Sequence, residues 1–232
     1  MIGVYFGEDV AGINKLVASL NGMTYKKKLV IRIFWTIIIL LSSYYLYRAI
    51  NYRFVRQGIG PTFWNKQFWF TSHLATAVIP LITGPFQFWT WLRKHYIKWH
   101  RLLGKVYIIG CLLGGLSAIY LGITQPYPGS VVPTLILASL WLFMTSAAWI
   151  TIKRKNVQAH RLFMIRSYTL TLAFVFLRIL SDLVYKHNFL SFIKNEDVKD
   201  ATYEWMSWVL PVLVVEFFIS WWPAVRKTRA LD

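Results

Sequence analysis

The sequence has little acid and almost no cysteine. It holds one cysteine, Cys111, and nine Asp and Glu residues among 232. A single thiol closes no disulfide within the chain, so a cystine-stapled scaffold is excluded. Charged residues make up only 15%, against about 25% in an average soluble domain. Familiar reaction motifs are missing too. There is no GxSxG elbow, no GxxxxGKS/T phosphate loop, no HExxH and no CxxC pair. What fills the chain is apolar, aromatic and basic. Hydrophobic residues reach 56% and aromatics 18%, with 12 Trp, which excludes a disordered chain. The length suits one domain or at most two. Lys and Arg number 26, for a formal net charge of +17. Two kinds of protein carry such an excess: a soluble nucleic-acid binder with a basic face, and a membrane protein with its cations in cytoplasmic loops.

The positions of the apolar runs decide between them. A helix rises about 1.5 Å per residue and the hydrocarbon core is about 30 Å thick, so about 20 apolar residues cross it. Six segments qualify: 29–50, 68–92, 103–124, 131–152, 162–185 and 205–225. Such runs do not fit a small soluble domain, so no nucleic acid is expected as a partner. The expected fold is all-α, a polytopic six-helix transmembrane bundle over 29–225 with the second to fifth spans as its core. A cytoplasmic or interfacial preface covers 1–28 and a basic tail 226–232. The preface is mixed and glycine-bearing, and Met23 begins MTYKKKLVIRIFW, a more natural start for a first span. The first apolar run is too long for a signal peptide and lacks a small-residue cleavage site, so it reads as an anchor.

The loops orient the bundle. Arg93, Lys94, Lys98, Arg101 and Lys105 lie between the second and third spans; Lys153, Arg154, Lys155 and Arg161 lie between the fourth and fifth. Lys26, Lys27 and Lys28 precede the first span, and Arg226, Lys227 and Arg229 follow the last. The loop at 125–130 is uncharged. The loop between the fifth and sixth spans sets Lys186, Lys194 and Lys199 against Glu196, Asp197, Asp200 and Glu204, and the first outer loop, with Arg53, Arg56 and Lys66, votes the other way. The positive-inside bias therefore predicts both termini in the cytoplasm. Aromatic residues gather at the span ends, with Trp64 and Trp69 at one interface and Trp91 and Trp99 at the other, where amphipathic rings settle. Pro80, Pro85 and Pro211 are expected to kink the second and sixth spans. Gly110, Gly114 and Gly115 suit close helix packing.

Ionisable groups inside spans are costly, so each is a functional candidate. One layer lies near the cytoplasmic ends: Gln87, His100 with Arg101, His160, and Arg166. Another lies near the outer ends: His73, Arg178 and Asp182. Arg178 and Asp182 are four apart and can pair, and a long Arg178 side chain can reach towards Glu216. His100-Arg101-Leu102 and His160-Arg161-Leu162 stand 60 residues apart, each followed by a cation and a tyrosine. The third and fifth spans run in the same direction, which sets His100 and His160 at one depth. Two imidazoles at one depth suit the axial positions of a single b-type haem, with Arg101 and Arg166 on its propionates. Gly104, one turn after His100, leaves room for a flat macrocycle. The same layer suits a quinone head group. The alternatives are structural: interfacial anchoring for the His-Arg pairs, a buried hydrogen-bonding role for His73, an intrahelical pair for Arg178 and Asp182, and a core role for Cys111.

A longer pattern joins these residues. His73, then Gly84-Pro85 and Gln87-Phe88, then HRLLGKVY from His100, then HRLFMIRSYTL from His160, then Leu177-Arg178, resembles the bacterial predicted membrane protein family called domain of unknown function 2306. The resemblance covers about residues 70 to 180. It implies a multi-pass protein of the bacterial inner membrane and marks His73, Gln87, His100, Arg101, His160, Arg166 and Arg178, without assigning an activity. More remotely, the histidines of the third and fifth spans are similar to those of transmembrane b-type cytochromes, which implies one haem at most, since the fourth span has no histidine. The leading expectation is a membrane redox or electron-transfer protein holding one b-type haem or a quinone, with lipid as its surroundings. The alternatives are a non-catalytic subunit or assembly factor partnered by other membrane subunits, and a small proton-coupled transporter using Arg178, Asp182 and Glu216.

Overall fold

The computed structural model describes residue 25 and residues 29–51, 67–124 and 128–228. The preface at 1–22, the alternative start at Met23, Lys26 to Lys28, the first-loop cations Arg53, Arg56 and Lys66, Trp64, and Arg229 lie outside them. Every regular element among the described residues is helical. Helix α1 covers Leu29–Asn51, α2 Gln67–Phe88, α3 Thr90–His95 and α4 Ile97–Thr124. Helix α5 covers Pro128–Lys153, α6 Val157–Thr171, α7 Ala173–His187 and α8 Glu196–Glu216. A π-helical turn, Phe217–Trp221, leads into α9, Trp222–Thr228.

Among the described residues, five runs are long and apolar enough to cross a membrane: α1, α4, α5, the run Val157–His187 formed by α6 and α7, and Glu196–Val225. Helix α2 is not among them. It is 22 residues long and continuous through Pro80 and Pro85, but Ser72, His73, Thr76, Thr83 and Gln87 dilute its apolar content. The expected segment 68–92 is also interrupted. Trp89 is extended (φ −75°, ψ 101°), and the chain restarts as the short basic α3.

The chain divides into two units, Met1–Tyr44 and Tyr45–Asp232. The described part of the first is Tyr25 and the apolar stretch 29–44 of α1, with Val30, Ile31 and Leu40 exposed. In the second unit α4 packs against α2 and α5, α5 packs also against α6 and α8, and α8 packs against α7. Two glycines of α4 permit this. A Cβ on Gly110 would stand 2.8 Å from Pro80 Cδ of α2, and one on Gly115 would stand 2.6 Å from Leu142 Cδ2 of α5. The small-residue packing expected from the sequence is therefore present on both sides of α4. Large apolar side chains point outward, as at Leu116, Phe143, Val214 and Phe218, while Thr145, Ser167 and Ser207 are buried. Lipid is as apolar as leucine, so the inside of such a bundle is marked by small and polar residues.

Local chemistry sets the helix ends. Asn156 and Asn195 cap α6 and α8, each accepting a hydrogen bond from the backbone N–H three residues on. Glu196 and Asp197 sit in the first turn of α8, where the helix dipole favours them. Lys155 and Asn188 take left-handed backbone at the turns after α5 and α7. Between α6 and α7, Thr169 and Thr171 donate back to the carbonyls of Ile165 and Ser167, a habit that bends helices.

Candidate functional site

The antiparallel packing of α4 and α5 brings α3, the start of α4 and the turn between α5 and α6 to one end of the bundle. Arg93, Lys94, Lys98, Arg101, Lys153, Arg154, Lys155 and Arg161 are exposed there. This basic end holds the first group of expected site residues. His100 has Arg93, His160 and Arg101 as its electrostatic neighbours. The imidazole Nδ1 of His160 donates to the Ala148 carbonyl of α5 at 2.8 Å. Gln87 is buried at the end of α2. Its Oε1 lies 3.1 Å from where a Cβ on Gly104 would stand, so the space beside Gly104 holds the Gln87 amide. Gln87 Nε2 and His100 Nδ1 are both buried with no hydrogen-bond partner among the described residues. Gly104, against which the Gln87 side chain of α2 lies, is one turn after His100, so those two positions of α4 share a helix face.

Arg166 goes elsewhere. Its Nε bonds Glu216 Oε1, its Nη2 donates to Glu216 Oε2 at 2.9 Å and to Ser220 Oγ at 3.1 Å, and Ser220 donates to Glu216 Oε2 at 2.7 Å. Glu216 is thus the partner of Arg166 and not of Arg178, which corrects the reach suggested by the sequence. The reason is register. Arg178 is 12 residues, or about 18 Å, further along the span, and the antiparallel α8 sets Glu216 beside its earlier half. Glu216 closes the α-helical part of this span and Ser220 lies in the π turn, which turns the hydroxyl back onto the carboxylate.

The second group lies at the opposite end. His73 Nδ1 donates to the Gly114 carbonyl of α4 at 2.9 Å, with Ser117 Oγ at 3.4 Å. This matches the structural alternative for that residue. Asp182 takes the Arg48 guanidinium at 2.5 Å, the Lys186 ammonium at 2.9 Å and a hydrogen bond from Tyr45 at 3.2 Å. Its carboxylate goes to these groups instead of Arg178, whose guanidinium stands 5.6 Å from the centre of the Phe174 ring. His73, Arg48, Arg178 and Asp182 all line one cavity of about 930 Å³.

Between the two ends sits a hydroxyl cluster. The Tyr107 hydroxyl is 2.9 Å from Ser167 Oγ and 3.2 Å from Thr171 Oγ1, Thr145 Oγ1 is 2.7 Å from Ser167 Oγ, and Trp141 Nε1 donates to Thr171 at 3.0 Å. Cys111 is buried against the same group. The sequence pointed to Tyr107 only as part of the repeated His-Arg pattern. Ser167 and Thr171, four apart in an apolar helix, were the available signal for the rest.

No group of three or more His, Cys, Asp or Glu side chains among the described residues is arranged to hold a metal ion. A family model described as a predicted membrane protein (DUF2306) matches residues 70–219, well over half of the chain. The chain belongs to this family. No curated protein and no solved structure matches it. The DUF2306 match encloses Gln87, His100, Arg101, His160, Arg166 and Glu216 as well as His73, Arg178 and Asp182. As a DUF2306 protein with several apolar helices, it is a membrane protein in contact with lipid.

Proposed function

We propose that this DUF2306 protein is a redox component of a bacterial inner membrane, with six spans, both termini in the cytoplasm, and a quinone head group held at the basic end. The reading rests on one observation: Gln87 Nε2, on the side chain that lies against Gly104, and His100 Nδ1, on the residue one turn before that glycine, are buried and without partners among the described residues. Buried polar atoms left without a partner cost about 1–3 kcal/mol each, and a quinone carbonyl is an acceptor for the Gln87 amide and for the His100 ring in its Nδ1–H tautomer. Arg101, beside His100, would favour the reduced, more negative form. The orientation rests on the basic end, whose exposed cations suit the cytoplasmic face.

A second reading keeps one b-type haem in this layer. It is favoured by His160, whose Nδ1–H on a backbone carbonyl is the arrangement that orients a metal-ligating imidazole. The Gln87 side chain against Gly104 counts against it, because it fills the room a macrocycle would need.

Purification in mild detergent separates the readings. Organic extraction followed by an oxidised-minus-reduced ultraviolet spectrum should recover quinone from the wild type, and much less from Gln87→Leu and His100→Leu. A visible haem spectrum lost in His100→Ala and His160→Ala would instead favour haem. A protein with neither chromophore, recovered with a stoichiometric membrane partner, would overturn both and leave the non-catalytic subunit.

A further inference from the structure

The cavity at the opposite end has its own unmet polar groups. Trp208 is 6% exposed and lines the cavity. Its Nε1, and the Oε2 of Glu204, are buried with no hydrogen-bond partner among the described residues. The two residues are four apart on α8, so they lie on one helix face, with Cβ atoms about 5–6 Å apart. One offers an acceptor, the other a donor. Most of the remaining wall is apolar, including Leu74, Leu137 and Leu177. Four lining residues are charged: Arg48 is already paired with Asp182, and Arg178 and Glu204 carry opposite signs.

We propose that this cavity binds the head group of an aminophospholipid, its primary ammonium at Glu204 and its phosphate at Trp208 and Arg178. A two-carbon link between ammonium and phosphate spans about one helical turn, the separation of Glu204 and Trp208. The ammonium supplies the hydrogen that Glu204 Oε2 lacks, the carboxylate's other hydrogen bond going to Ser130, and a phosphate oxygen supplies the acceptor that the indole lacks; both bonds are charge-assisted. The glycerol and acyl chains lie against the leucines. An anionic lipid would set its phosphate against Glu204 with no ammonium to balance it. A simple organic cation would leave the indole N–H unmade and would face Arg178. None of Gln87, His100 and His160 lines this cavity, so the site stands or falls separately from the quinone layer.

The test is native mass spectrometry of the full-length protein in mild detergent, titrated with phosphatidylethanolamine, phosphatidylglycerol or phosphatidylcholine. Phosphatidylethanolamine should be retained most strongly, because the quaternary ammonium of phosphatidylcholine donates no hydrogen bond and phosphatidylglycerol has no cation. Glu204→Gln should lower phosphatidylethanolamine retention about tenfold, the scale of one charge-assisted hydrogen bond, and leave phosphatidylglycerol retention unchanged. Trp208→Phe, which keeps the ring, should lower it by a smaller factor. Unchanged melting temperatures in both variants show that the fold persists. Equal retention of the three lipids, or no effect of Glu204→Gln, overturns the proposal. Displacement by free phosphoethanolamine at millimolar concentration would overturn the lipid assignment and give the site to a soluble zwitterion.

Discussion

The hydroxyl cluster around Tyr107 and the basic-end layer around His100 are both polar, both buried and both built on α4, yet they are finished differently. In the cluster, Tyr107, Trp141, Thr145, Ser167 and Thr171 each find a partner on another helix. In the layer, Gln87 Nε2 and His100 Nδ1 find none among the described residues. A completed network binds helices together, because every alternative in a low-dielectric interior leaves a bond unmade. An incomplete one lowers the stability of the fold by the bonds left unmade, and the proposed ligand would complete it. The contrast separates side chains that hold the bundle together from side chains available for binding.

Four substitutions break or sharpen this contrast. The largest effect is expected from Glu216→Leu, which strands the Arg166 guanidinium in a mostly buried site. Loss of about 3 kcal/mol is expected, seen as a lower midpoint of thermal unfolding in detergent, and largely restored in the double variant with Arg166→Met. Ser167→Ala comes next. It removes the oxygen shared by Tyr107 and Thr145, and about 2 kcal/mol should go with it. Asp182→Asn should cost less than about 1 kcal/mol, because Arg48 is 41% exposed on its side chain and such pairs contribute little. Gln87→Leu should change stability least, by under about 0.5 kcal/mol, since it deletes an amide nitrogen that has no partner. Quinone retention should nevertheless fall in that variant. If Gln87→Leu destabilises the fold as much as Ser167→Ala, the two regions are not different in kind.

Much of the architecture was legible before any coordinates. Long uncharged runs, basic loops and the His-Arg repeats gave the helical membrane character and the DUF2306 membership, because each depends on neighbours along the chain. The capping asparagines and the glycines of α4 belong to the same local class. The partners were not legible. The pattern allowed Arg178 to meet Asp182 by spacing alone, yet Asp182 takes Arg48, 134 residues away. It counted α2 as one span with α3, and the backbone at Trp89 divides them. It passed over Glu204 and Trp208, which read as the edge of a polar loop and the start of an apolar run.

The sequence by itself determined that this chain is a bundle of apolar helices carrying a few costly polar residues, because apolar length and loop charge are local quantities. Only the tertiary structure decided which of those residues are satisfied. Satisfaction depends on the register between helices distant in the chain: Arg166 meets Glu216 across 50 residues and Tyr107 meets Ser167 across 60, while Gln87, His100, Glu204 and Trp208 keep polar atoms without partners among the described residues. A shift of one turn in α8, about 5.4 Å, would part Glu216 from Arg166 without altering a single residue.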